Sequence, residues 1–235
     1  MTEAPRALDP VGRTRRRLLA LTLPLAAVLY VGAEATNPKG TDQIVDTTKV
    51  AFKVLPIAEH HTGQLYLSGI LSCVALGALA VAFVALATMI RGRGAAVATV
   101  AAIVGVIGFF SGALVNVLVG FNLAAVAAAH LSRDAGAAFL VTTFKSGVAS
   151  VLLDLYAFAE IYFAPTLMAI ALWRSRCVPR WLVALFFIGL EIAEQVPSAG
   201  PARVLLEMAP FFVAMMLLAL RMWGVSFWSS RSGTP

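Results

Sequence analysis

Long apolar runs dominate this chain, and they restrict it more than any motif does. A helix that crosses ~30 Å of hydrocarbon needs ~20 mostly apolar residues at 1.5 Å each. Segments 18–33, 62–90, 95–119 (apolar as far as 129), 147–172, 181–196 and 202–223 meet or approach that requirement. With 60% hydrophobic and 13% charged residues and a mean hydropathy of +0.87, the chain lies outside the range of soluble domains. The expected fold is an all-α membrane bundle of six transmembrane helices, one integral domain over 1–235. Residues 1–12 form a short disordered tail and 34–61 an outer loop.

The basic residues give the orientation. Arg13, Arg15, Arg16 and Arg17 precede the first run, and Arg91 and Arg93 separate the second from the third. Arg174, Arg176 and Arg180 separate the fourth from the fifth, and Arg221 ends the last. Six spans place all of these on one side, which the positive-inside rule makes cytoplasmic along with both termini. The net charge of +6 is thus an orientation signal and does not point to nucleic acid. Splitting 95–129 at Ser111-Gly112 would give seven spans and put "WRSRCVPR" outside, against that rule. "TRRRLL" (14–19) followed by "AEA" (33–35) also has the look of a cleaved signal. Five further apolar runs favour an uncleaved first span in the plasma membrane.

Smaller signals organise the bundle. Gly108, Gly112, Asn116 and Gly120 recur every four residues, as do Gly69, Cys73 and Gly77. Small residues at that spacing let helices approach closely, within the chain or between copies of it. Asn116 is most simply an interhelical hydrogen bond. Pro165 and Pro210 interrupt two runs and should kink them. "TDQIVDTTKVAFKVLP" (41–56) fits either a short interfacial helix or a plain loop, with Pro56 opening the second span. Cys73 and Cys177 lie too far apart in the topology to pair.

Ionisable groups inside apolar spans are costly and tend to face the bundle interior. Asp154 falls ~10–12 Å below the outer surface and Glu160 near the midplane, ~120° apart around the helix. Glu160 shares a face with Tyr156, and Asp154 with Ser150. Glu191, Glu194 and Gln195 lie on one side of the fifth run, and Glu207 sits one turn after Arg203, a natural partner. His60 and His61 open a stripe that continues through Gln64, Ser68 and Ser72. All these groups fall in the outer half or near the middle, while the cytoplasmic half is almost purely apolar. That asymmetry predicts a polar pocket opening outward or laterally. Glu160, Asp154 and Tyr156 are its candidate catalytic groups. His60, His61, Gln64, Ser68, Asn116, Glu191, Glu194 and Glu207 are its candidate ligand contacts.

Several chemistries are excluded. Only His60, His61 and His130 are histidines, too few for a membrane di-iron site. No HExxH, P-loop or Gly-rich dinucleotide loop occurs, and no metal or cofactor is expected. "GFFSG" (108–112) has the wrong spacing for an intramembrane serine protease.

The segment "LLDLYAFAEIYFAPTLMAIALWRSRCVPRWLVALFFIGL" (152–190) resembles a family of small six-span bacterial membrane proteins. In these an Asp-containing span leads to a basic loop ending in Pro-Arg and then to another span. The resemblance implies six spans and brings no activity with it. In size and buried acids the chain is also similar to small membrane-bound terpene cyclases, whose intramembrane acids protonate an isoprenoid. Three functions follow as expectations. The chain binds a lipophilic small molecule or a membrane partner in its pocket. Alternatively it is an intramembrane enzyme with Glu160 or Asp154 as general acid. The last is a proton-coupled transporter, which lacks support from any inverted repeat or polar cytoplasmic path.

Overall fold

The computed structural model describes residues 10–38, 41, 47–195 and 201–224. These residues are helical, with no strand among them. The helices are α1 (Pro10–Thr36), α2 (Thr48–His60), α3 (Thr62–Met89), α4 (Ala95–Ala128), α5 (Arg133–Phe144), α6 (Gly147–Leu155), α7 (Ala164–Ser175), α8 (Arg180–Gln195) and α9 (Pro201–Met222). A π-helical stretch, Tyr156–Phe163, joins α6 to α7, so that Gly147–Ser175 runs as one rod. Residues Thr14–Thr36, Thr62–Met89, Ala95–Ala128, Gly147–Ser175 and Val204–Met222 form five helices long and apolar enough to cross a membrane. The fifth run of the sequence becomes α8, whose 16 residues extend only ~24 Å.

Successive long helices alternate in direction. Trp223 Nε1 donates to Arg17 O at 3.1 Å, joining the end of α9 to the start of α1. Arg221 Nε donates to Cys177 O at 3.2 Å, placing the α7–α8 loop at the same end. Gly94 completes that end. Its φ is +102°, and a Cβ there would stand 2.7 Å from Ala171 O. At the opposite end Ser68 Oγ donates to Ala33 O at 3.2 Å, and a Cβ on Gly120 would approach Leu65 O to 3.1 Å. The arginines at 17, 91, 93, 174, 176, 180 and 221 therefore gather at one end. Exposed Trp173, Trp181 and Trp223 surround it, as indole rings do where a bilayer meets water.

Packing closes the long helices into a ring. α3 lies between α1 and α4, α4 carries the α6–α7 rod, α8 joins α7 to α9, and α9 returns to α1. Aromatic rings fill the middle: Phe83 stacks edge-on against Phe109 at 4.9 Å and tilts toward Phe186 at 6.1 Å. Tyr30 meets Phe211 at 6.3 Å. The outer surface is also apolar, with Leu21, Val74, Ile103, Phe158, Ile188 and Val213 exposed on six different elements. An apolar exterior of this kind suits lipid and would be a liability in water.

α4 is 34 residues, ~51 Å, and continues unbroken through Ser111-Gly112. That excludes the two-span reading of 95–129. Its last turns outrun a bilayer core and are covered instead by α2 and α5. Ala51, Val54, Leu55 and Ala58 of α2 pack with Leu123, Ala124 and Ala127 of α4 and with Ala137, Leu140 and Phe144 of α5, as a second core. The segment read as either helix or loop (41–56) is helical from Thr48 onward, with 42–46 outside the described residues, and Pro56 lies inside that helix rather than at the start of the second span. The backbone breaks at His61, and α3 begins at Thr62. α5 was not anticipated, although Ser132 caps it through Ala135 N and Asp134 sits in its first turn.

The glycine ridge of α4 is used within the chain. A Cβ on Gly108 would lie 2.6 Å from Glu160 N and 2.9 Å from the Ala159 carbonyl carbon. Backbone here meets backbone. The π stretch ends just before Pro165, which has no N–H to offer the preceding turn. The interruption expected at Pro165 thus takes the form of a wide turn. Gly108→Ala should lower stability by about 1–3 kcal/mol, since two backbones must separate. Gly77→Ala, with nothing near its would-be Cβ, should stay within about 0.5 kcal/mol of wild type. Thermal unfolding of both variants in detergent tests the contrast, and equal losses would refute the close contact.

Candidate functional site

The half of the ring away from the arginine-rich end contains a polar cavity of about 160 Å³. α1 contributes Glu34, and the turn after it contributes Asn37 and Thr41. α3 contributes Ser68 and Ser72, one turn apart on a single face; α4 contributes Asn116; Leu153 and Tyr156 close it from the α6 side. Gly69 and Gly120 are also in the wall, where α3 and α4 cross closely enough to leave their side-chain positions empty.

Short hydrogen bonds hold the walls. Ser68 ties α3 to α1 through the Ala33 carbonyl. Thr41 is buried, with Oγ1 2.7 Å from Pro38 O and 2.9 Å from Asn37 Oδ1, which folds the turn after α1 onto the cavity. Asn116 Nδ2 donates to Gly112 O at 3.0 Å, within its own helix. The expected interhelical bond from Asn116 is replaced by this local one, because Gly112 leaves its carbonyl open to the side chain above.

Glu160 is the most buried ionisable group described, at 1% exposure. Its Oε2 occupies the notch left by Gly112, and a Cβ there would collide with it. The same Cβ would lie 2.6 and 2.8 Å from two ring carbons of Tyr156. The carboxyl group and the phenol ring therefore share one glycine, as their i, i+4 spacing suggested. Tyr156 lines the cavity as well, whereas Glu160 does not.

The other sequence candidates lie elsewhere. Asp154 and Ser150 are exposed, on the face of α6 turned from the bundle. His60, His61 and Gln64 are exposed around the α2–α3 break and do not line the cavity. The polar stripe thus divides: its first members face outward and only Ser68 and Ser72 face in. Glu191 and Glu207 are half-buried on α8 and α9, away from this cavity. The side chains of Glu194, Gln195 and Arg203 lie outside the described residues, and with them the expected Arg203–Glu207 pair. Among the described residues no three His, Cys, Asp or Glu side chains cluster as metal ligands.

No family model, curated protein or solved structure matches this chain.

Sequence reasoning missed Glu34, Asn37 and Thr41. The apolar run was ended at residue 33, whereas the helix continues to Thr36. Their spacing was a usable signal, because i, i+3 sets Glu34 and Asn37 on one face. Ser68→Ala should remove the α1–α3 tie and lower stability by about 0.5–1.5 kcal/mol. Ser150→Ala, on the exposed face, should change it by less than about 0.5 kcal/mol. Unfolding midpoints of the two variants in one detergent check the difference.

Proposed function

We propose that this chain is a multi-pass protein of the plasma membrane, with six spans and both ends cytoplasmic, that binds the polar end of a lipophilic small molecule. The polar cavity carries the reading. It sets Glu34, Asn37, Ser72, Asn116 and Tyr156 around a space inside an otherwise apolar bundle. Buried polar groups that converge on a space are more useful to a ligand than to stability. At about 160 Å³ it is smaller than the ~300–1,000 Å³ of pockets that enclose a whole ligand. A hydroxyl, amide or similar head fits, and the apolar remainder stays outside. α1 and α6 line the cavity without being major packing partners, and the gap between them is the natural exit for that remainder.

Six spans are supported by α8, which lies in the ring between α7 and α9 and exposes Trp181 and Ile188 as its neighbours expose theirs. A short span of this kind is accommodated by local thinning of the bilayer. Cytoplasmic ends are supported by the arginines and tryptophans gathered where α1 starts and α9 ends. An uncleaved first span is supported by the burial of Leu23, Ala27, Tyr30 and Ala33, without which α3 and α9 would lose a flank. In a cysteine-free background, a membrane-impermeant thiol reagent should label Ser132→Cys in intact cells and Arg93→Cys only after permeabilisation. Labelling of both in intact cells would contradict this topology.

One observation favours a second reading, in which Glu160 is the general acid of an intramembrane enzyme. A carboxyl group held beside a tyrosine in a π-helical turn is an arrangement found at functional sites. Glu160 does not line the cavity, however, and a general acid must come within ~2.6–3.2 Å of its target. Binding is therefore preferred.

The two readings separate by experiment. Ser72→Leu fills the cavity. Protein purified in mild detergent should carry a lipophilic species, detected by mass spectrometry, that falls at least several-fold in Ser72→Leu. An identical co-purifying profile would rule out the binding reading. Under the enzyme reading, cells bearing Glu160→Gln accumulate a substrate absent from wild type. Binding alone predicts an unchanged cellular lipid profile.

A further inference from the structure

A second site lies at the opposite end of the membrane and does not depend on the cavity. α7 and α8 diverge from their shared loop and leave an apolar groove of about 430 Å³ on the lipid-facing surface. Thr166, Ile170 and Trp173 form one wall; Val183, Ala184 and Phe187 form the other. The wall from Thr166 to Trp173 is roughly 10 Å long. It begins at the basic end and rises toward the middle of the membrane.

Its lower end is charged. The Arg180 guanidinium carbon lies 5.0 Å from the centre of the Trp173 ring. Trp173 is half-exposed and belongs to the groove wall, so the cation is fixed at the groove's mouth. A guanidinium stacked on an aromatic face still presents its N–H edge, whose forked geometry matches a phosphate. Arg174, in the last turn of α7, and Arg176, just after that helix, are both exposed nearby in the sequence. Apolar length above and fixed positive charge below is the polarity of an anionic phospholipid: acyl chain along the groove, phosphate at the arginines. Zwitterionic lipid fills the groove equally well but carries its own cation beside the phosphate, which opposes these arginines.

We infer that the α7–α8 groove, headed by Arg180 on Trp173, is a binding site for one anionic phospholipid. The ligand links two helices at the place where short α8 most needs support. A basic residue near a membrane surface contributes about 1 kcal/mol toward an anionic lipid, so Arg180→Gln should weaken binding about fivefold.

The test uses the full chain in a zwitterionic detergent, titrated with phosphatidylglycerol or with phosphatidylcholine of the same acyl chains. Phosphatidylglycerol should raise the unfolding midpoint by roughly 5–10 °C at a hundredfold excess over its Kd, and phosphatidylcholine much less. Arg180→Gln should shift the phosphatidylglycerol titration to about fivefold higher lipid. Ala184→Phe, which fills the groove and leaves every charge in place, should abolish the response. Glycerol phosphate, a headgroup without chains, should give none in wild type. Removing two charges elsewhere at the same end, with Arg15→Gln and Arg16→Gln together, should leave the response unchanged. Equal stabilisation by both lipids, a full response in Ala184→Phe, or equal weakening by the Arg15/Arg16 pair would each overturn the proposal. The last result would reduce the effect to general surface charge.

Discussion

The contact between α4 and the π-helical stretch governs the arrangement of the half of the bundle that holds the polar cavity. Gly108 lets the backbone at Ala159–Glu160 come against α4, and Gly112 makes room for the Glu160 carboxyl group and the Tyr156 ring. In lipid there is little hydrophobic force to bring helices together, so close packing and polar contacts do that work. Several features follow from this contact. Glu160 is carried into the bundle and away from lipid. Tyr156 is turned toward the space between α1, α3 and α4. With the α6 side seated on α4, it does not also seat on α1, and the cavity lies in the interval.

Length mismatch with the bilayer shapes the remainder. α4 is longer, and α8 shorter, than the ~30 Å of a hydrocarbon core. The excess of α4 is covered by α2 and α5, which bury its last turns in a separate small core. α8 is sheltered between α7 and α9. There Gly189 admits the Pro210–Phe211 backbone, with a would-be Cβ only 2.6 Å from Phe211 N. The end of the long helix is therefore buried by two short ones, and the short helix is flanked by two long ones. Each solution creates a surface, the covered end of α4 and the apolar groove beside Trp173.

Much of the candidate site was legible in the sequence, because a polar side chain within an apolar run has few harmless explanations. Tyr156, Glu160, Ser68 and Asn116 stood out on that ground, and all four lie in or beside the cavity. Asn116 lines the cavity, but its hydrogen bond stays within its own helix, since a helix face does not specify which acceptor a side chain reaches. His60, His61 and Gln64 looked like the start of the same stripe. Periodicity assumes one continuous helix, and the break at His61 ends that phase. Asp154 stood out as much as Glu160, but the ~120° between them was enough to leave it facing outward. Glu34, Asn37 and Thr41 follow the last apolar residue of the first run, and hydropathy alone does not show that the helix continues to Thr36.

The sequence by itself determined the helical class, the apolar length of five helices, the gathering of basic residues between them, and the close packing of the α4 glycines. These are one-dimensional properties: hydropathy per length, charge per loop and spacing per turn each follow from local chemistry. Only the tertiary structure decided which polar residues meet, that α2 and α5 cap α4, and that Glu160 faces a glycine notch while Asp154 does not. Those outcomes depend on how far a helix runs past the membrane, where its phase breaks and which neighbour fills its grooves. Such quantities arise from pairs of helices, and no single run of residues contains them.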